Sequence, residues 1–149
     1  MRYISILLIV ILSACGSKKP EAVSTEFNQL MKEVIEVHDV AMAEMGNLIS
    51  LKKELAATLD STENDSVKLQ AIEDLDIAHE SMMVWMRGFS DAFTAEQITK
   101  GLPDTYESEE VRAEAEETLI DLKEQAESVE EMNQKVQTSL TQARQILKK

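Results

Sequence analysis

The sequence predicts an all-α protein: an elongated antiparallel three-helix bundle with coiled-coil-like packing, preceded by a lipoprotein signal peptide. Three observations carry this. Along three long stretches apolar residues recur at alternating spacings of three and four, the repeat of a buried helical stripe. Only four Gly and two Pro interrupt the 149 residues, and Glu, Lys, Leu, Ala and Gln, all good helix formers, are abundant. No segment shows the Val/Ile/Thr alternation that a half-buried strand needs. With 44% hydrophobic but only 4% aromatic residues, the chain suits one domain with a mostly aliphatic core.

Residues 1–14 read as an export signal. Arg2 is followed by an apolar run from Tyr3 to Leu12 and then by the small residues Ser13 and Ala14. The run is well short of the roughly 20 residues a spanning helix requires. Leu12-Ser13-Ala14-Cys15 resembles the bacterial lipobox, in which a diacylglycerol thioether is added to the cysteine and the preceding peptide is removed. The expectation is that Cys15 is lipidated and becomes the mature N-terminus, anchored by two or three acyl chains, where one chain would hold only marginally. Cys15 is the only cysteine, so its modification excludes disulfides, CxxC redox chemistry and thiolate-bound metals.

Removing residues 1–14 takes away Arg2 and no acid, leaving 14 Lys+Arg against 28 Asp+Glu, a net charge of −14. Such a surface repels phosphate backbones and anionic headgroups, which argues against nucleic acid and against membrane contact beyond the lipid anchor. A protein partner, and a basic one in particular, is compatible with it.

Residues 15–23 form a short polar tether interrupted by Pro20. Ser24 is then the expected cap of a first helix over about residues 24–59, about 54 Å long at 1.5 Å per residue. Its stripe is Phe27, Met31, Val34, His38, Ala41, Met45, Leu48, Lys52, Leu55 and Leu59. Residues 60–65 contain no apolar residue and several cap formers, and predict a turn. A second helix over about 65–93 carries Ile72, Leu75, His79, Met82, Met86, Phe89 and Phe93, and the short turn makes the two helices antiparallel neighbours.

Thr94-Ala95-Glu96-Gln97 fits a capping box for one brief helix, after which Gly101 and Pro103 break the chain. A third helix over about 105–148 has the stripe Ala115, Leu119, Leu122, Ala126, Val129, Asn133, Val136, Leu140, Ala143 and Leu147. Acids crowd its first half and Lys135, Arg144, Lys148 and Lys149 close it, as the helix dipole favours. The small residues of this stripe also suit pairing with a second copy, in which a buried Asn133 would set register; an Asn133 facing water at one edge is the alternative.

One internal pattern stands out. His38-Asp39-Val40-Ala41-Met42-Ala43-Glu44-Met45 recurs 41 residues later as His79-Glu80-Ser81-Met82-Met83-Val84-Trp85-Met86: histidine, acid, then Met at the fourth and seventh positions on. These positions share one helix face. In a hairpin turning near residue 62, His38 falls beside Met86, Met42 beside Met82 or Met83, and Met45 beside His79. Five of the seven methionines after residue 14 follow one of the two histidines within seven positions. Thioethers are soft ligands that suit Cu(I) or Ag(I), with imidazole alongside, and Trp85 is near enough to lie over a cation. The candidate soft-metal set is therefore His38, Met42, Met45, His79, Met82, Met83 and Met86. Core packing is the favoured reading, because Met fills gaps in helical cores and His often sits there as a hydrogen-bonded residue.

No enzyme signature is present: the chain lacks GxSxG, a glycine-rich phosphate loop and HExxH, and neither histidine has an obvious nucleophile. No cofactor is expected beyond the Cu(I) alternative. Haem needs a wider, more aromatic pocket than six aromatic residues supply, and the Glu-x-x-His pairs of di-iron bundles are missing. Acidic runs such as Glu107-Ser108-Glu109-Glu110 read as solvated helix faces.

The pattern H-D-x-x-M-x-x-M-G at His38–Gly46, Leu51-Lys52-Lys53-Glu54-Leu55 after it, and Met82-Met83-x-Trp85-Met86-Arg87-x-Phe89 later resemble a family of short Bacteroidota lipoproteins. Members often carry the label "viral A-type inclusion protein", which reflects coiled-coil similarity. The resemblance covers the first two helices, implies a lipoprotein, and brings no catalytic residue. Surface-exposed lipoproteins of that group carry acids just after the cysteine, whereas Gly16-Ser17-Lys18-Lys19 is basic. A periplasm-facing outer-membrane location is the expectation, with the chain acting as a non-catalytic interaction or structural module of the cell envelope.

Overall fold

The computed structural model describes residues 21–60 and 65–148, and these are all helical apart from caps and connections. The helices are α1 (Ala22–Ala43), α2 (Met45–Ala57), α3 (Ser66–Ala92), α4 (Ala95–Lys100) and α5 (Glu109–Leu147). The expected signal peptide, Cys15 and the expected tether up to residue 20 lie outside the described residues.

The expected single helix over 24–59 is two helices. At Glu44 (φ −90°, ψ −7°) the backbone N–H bonds to Ala41 rather than one residue further back, and a new helix starts at Met45. Two features coincide there, one local and one from α5. Gly46 weakens helix propensity just past the break. The Glu44 carboxylate also accepts from the Asn47 side chain at 2.8 Å and meets Arg144 of α5 at 3.4 Å, which holds the joint against the end of another helix. The stripe keeps its register through the joint: Phe27, Val34, Ala41, Leu48 and Leu55, every seventh residue, are all fully buried.

Ser24 does not cap the first helix, which begins two residues earlier at Ala22. Its hydroxyl is buried and donates to Pro103 O at 2.6 Å while meeting the Tyr106 hydroxyl at 2.6 Å. Asn28 grips the same loop through both ends of its amide, donating to Leu102 O at 3.2 Å and accepting from Leu102 N–H at 2.7 Å. Gly101, with φ +76°, lets the chain pass so close to Asn28 that a Cβ would stand 2.0 Å from Oδ1. Pinned this way, residues 101–108 stay irregular, and the last helix starts at Glu109, with Ser108 accepting from Val111 N–H, instead of near residue 105. The Thr94–Gln97 capping box forms as expected at the start of α4.

On α3 the innermost residues are Ala71, Leu75, Ala78, Met82, Trp85 and Phe89. The expected stripe was right at Leu75, Met82, Phe89 and Phe93, but Ala78 and Trp85 occupy the centre in place of His79 and Met86, which are half-buried at its edge. On α5 Ala115, Leu122, Val129, Val136 and Ala143 form one buried row, with Leu119 and Leu140 beside it. Asn133 is half-buried and accepts from the Gln137 side chain at 3.3 Å.

The long α5 packs along both α1 and α3, and α2 packs on α3 and α5. Antiparallel contact of α1 and α2 with α3 is marked by Phe27 against Phe93 and Lys52 against Asp76. The backbones of α1 and α3, in contrast, hardly approach. Rings fill the space between them.

Candidate functional site

A ladder of rings runs between α1 and α3. The His38 imidazole stacks on the Trp85 indole at 5.4 Å and 28°, Trp85 on Phe89 at 4.8 Å and 22°, Phe89 meets Phe93 at 5.1 Å, and Phe93 meets Phe27 edge-on at 6.1 Å. Offset stacks and edge contacts of this kind are what ring quadrupoles favour. The residues arrive by simple helical spacing: Trp85, Phe89 and Phe93 are each four apart on one face, and Phe27 and His38 lie three turns apart on the facing helix. Trp85 is 6% exposed, and its Nε1–H donates to Gln125 O on α5 at 3.3 Å, so the indole on α3 reaches both α1, through His38, and α5.

His38 Nδ1 lies 3.0 Å from Asp39 Oδ1. A carboxylate can only accept, so Nδ1 carries the hydrogen, and Nε2 is left with the lone pair when the ring is neutral. The rest of the predicted soft-metal set is distributed around the ladder and beyond it. Met82 is fully buried in the core; Met42, Met45 and Met86 are half-buried against it; Met83 points outward, 37% exposed. His79 lies in a separate groove between α2 and α3 lined by Leu48, Ile49, Lys52, Lys53, Leu75 and Asp76, where the Lys52 ammonium meets Asp76 at 2.6 Å. No methionine lines that groove. Trp85, expected as a lid over a cation, is engaged by the rings of His38 and Phe89. Among the described residues, no three His, Asp, Glu or Cys side chains converge on one point.

A second feature has no counterpart in the stripes read from the sequence. Between α3 and α5, on the face away from α1, a groove runs from Ser66 to Trp85 along one wall and from Ser128 to Ile146 along the other. Val67, Ile77 and Val84 stand along it, 64%, 51% and 54% exposed. Ile77 and Val84 are seven apart and off the core stripe, a spacing that marks a second apolar line on α3.

No protein-family model, curated protein or solved structure matches this chain.

Proposed function

We propose that this protein is a lipid-anchored helical module of the cell envelope that acts through protein contacts without catalysis. The observation that carries the reading is Leu12-Ser13-Ala14-Cys15, placed at the end of a short apolar run where lipobox processing takes place. Among the described residues no helix is long and apolar enough to cross a membrane. In this reading α1/α2, α3 and α5 are the rods of an elongated three-helix bundle. Glu21 N–H bonds to Asp104 O at the ring-rich end. The tether therefore brings that end toward the bilayer and presents the α2–α3 turn away from it.

The family resemblance and the basic Gly16-Ser17-Lys18-Lys19 segment favour an outer-membrane anchor facing the periplasm. The net charge of −13 for the whole chain sets the character of a partner: it disfavours nucleic acid and a second copy, and favours a basic protein surface. Soft-metal binding through the His/Met stripes is the second reading, supported by the internal echo. Against it stand the lysines beside His79 and the stacking of His38.

The test is the mass of the full chain purified from a diderm bacterium. Loss of residues 1–14 with acyl groups on Cys15, abolished in Cys15→Ser, is the expected result. A cleaved chain with a free Cys15 thiol, or an uncleaved one, contradicts the anchor.

A further inference from the structure

We infer that the groove between α3 and α5 receives a cationic amphipathic helix of a protein partner. This rests on the reading of the chain as an interaction module and adds the place and chemistry of the contact. The three outward seams between rods differ in how they are closed. Three ion pairs cross the seam between α1/α2 and α5: Arg112–Glu21 at 3.2 Å, Lys123–Glu26 at 2.6 Å and Arg144–Glu44 at 3.4 Å. The α2/α3 seam is crossed by Lys52–Asp76 and by Lys68 Nζ donating to Thr58 O. Among the described residues no ion pair crosses from α3 to α5, and the side-chain hydrogen bond that does, Trp85 Nε1–H to Gln125 O, comes from a buried ring and no charged arm. Exposed pairs add little stability, but their long arms lie over the groove beneath them. The seam without them is the one where Val67, Ile77 and Val84 stand exposed, above a floor that includes Ala71, Met132 and Ser139.

Length and charge specify the occupant. The α3 wall covers 20 residues, about 30 Å at 1.5 Å per residue, which matches one helix of about the same number. A helix laid there would complete a four-helix arrangement, the usual way an amphipathic segment is recognised by a helical groove. Asp74 and Glu131 stand on opposite walls, and no cation among the described residues pairs with either; the Asp74 carboxylate only accepts from Gln70, at 3.0 Å. Lys135 is the one cation of the lining; Glu80, its third acid, is already paired with Arg87 at 3.1 Å, and the other polar lining residues are Gln, Ser and Thr. A second copy would bring its own excess of acids to these carboxylates. A helix with Lys or Arg flanking an apolar stripe would satisfy both walls while covering Ile77 and Val84.

The probe is a synthetic 20-residue helix of Lys, Leu and Ala without Trp, added to the full chain in zwitterionic nanodiscs, with empty discs subtracted. Trp85, the only tryptophan, lines the membrane-proximal end of the groove and reports occupancy by its emission. Saturable binding is expected, weakened about tenfold or more in Ile77→Ser/Val84→Ser, because apolar surface is no longer covered there. Binding in Glu114→Gln/Glu117→Gln, which removes two α5 acids outside the groove, should stay within about twofold. Asp74→Lys/Glu131→Lys should reject this peptide and accept its Glu-for-Lys counterpart. Absence of binding, equal binding of both peptides by the wild type, or indifference to the groove substitutions overturns the inference. With Cys15 acylated, such a result leaves the anchored module standing and removes this partner class; groove-dependent binding with an unmodified Cys15 removes the anchor and leaves the partner class.

Discussion

The half of the molecule near Glu21 and the half near the α2–α3 turn solve the same packing problem with different side chains. Near Glu21, the rings of Phe27, His38, Trp85, Phe89 and Phe93 stand between α1 and α3, and the two backbones stay apart. Near the turn, the buried residues are Leu48 and Leu55 on α2 and Leu75 and the small Ala71 on α3, and α2 lies directly against α3. Interaxial distance follows the size of the residues at the contact, so one hairpin is wide at one end and narrow at the other. The break at Glu44 falls between the two regimes, which lets the first rod change its distance from α3 without leaving its heptad register. The comparison also separates the two histidines: His38 belongs to the wide half as a ring of the ladder, and His79 to the narrow half beside two lysines.

The difference is sharpest under truncation. Trp85→Ala removes the indole that reaches both α1 and α5 and should cost about 3–5 kcal/mol, against about 2–4 kcal/mol for Leu48→Ala in the narrow half, both read by urea denaturation. A smaller loss at Trp85 than at Leu48 would mean that the ladder does not hold the wide half open. Gly101→Ala should cost about 1–3 kcal/mol, since neither its φ nor the space beside Asn28 admits a Cβ. Part of that loss should return in the double variant with Asn28→Ala, which removes the amide the Cβ meets. His38→Phe keeps a ring on Trp85, whereas His38→Ala forfeits the stack and should be about 1 kcal/mol less stable than His38→Phe in the same urea denaturation. The smallest effect lies at the turn. Lys68, through its hydrogen bond at 2.9 Å, holds the Asp65 carboxyl below its ordinary 3.8. Its contribution is complete above 3.8 and is lost as the pH falls through the lowered folded value, and Lys68→Met should flatten that part of the stability–pH curve.

The sequence made the helices legible because heptad spacing is a strong, local signal. Phe27, Val34, Leu48, Leu55, Leu75, Leu122 and Leu140 are where their periodicity places them, and the Thr94 box forms from four adjacent residues. The joint at Glu44 was not legible, because it depends on Arg144, a hundred residues away, as well as on Gly46. The same holds for Ser24, whose hydroxyl serves a loop around Pro103 and Tyr106 instead of capping its own helix. The α3 stripe was misjudged by one position because Ala78 carries little hydrophobic weight beside His79 and Met86, although it is the residue that lets helices come close. The stretch around each histidine was visible as an echo, but an echo along two helices does not say which halves of a tapering hairpin its copies occupy. The α3/α5 groove was hidden for a related reason: Val67, Ile77 and Val84 become a surface only when another helix forms the second wall.

If the two His/Met stripes are packing in different halves of the molecule, Cu(I) titration of the full chain against a chromophoric competitor under reducing conditions tests it most directly. The predicted result is no competition at micromolar metal, with wild type and His38→Ala/His79→Ala indistinguishable. Tight one-to-one binding that the double variant loses would contradict it and make the stripes a soft-metal site.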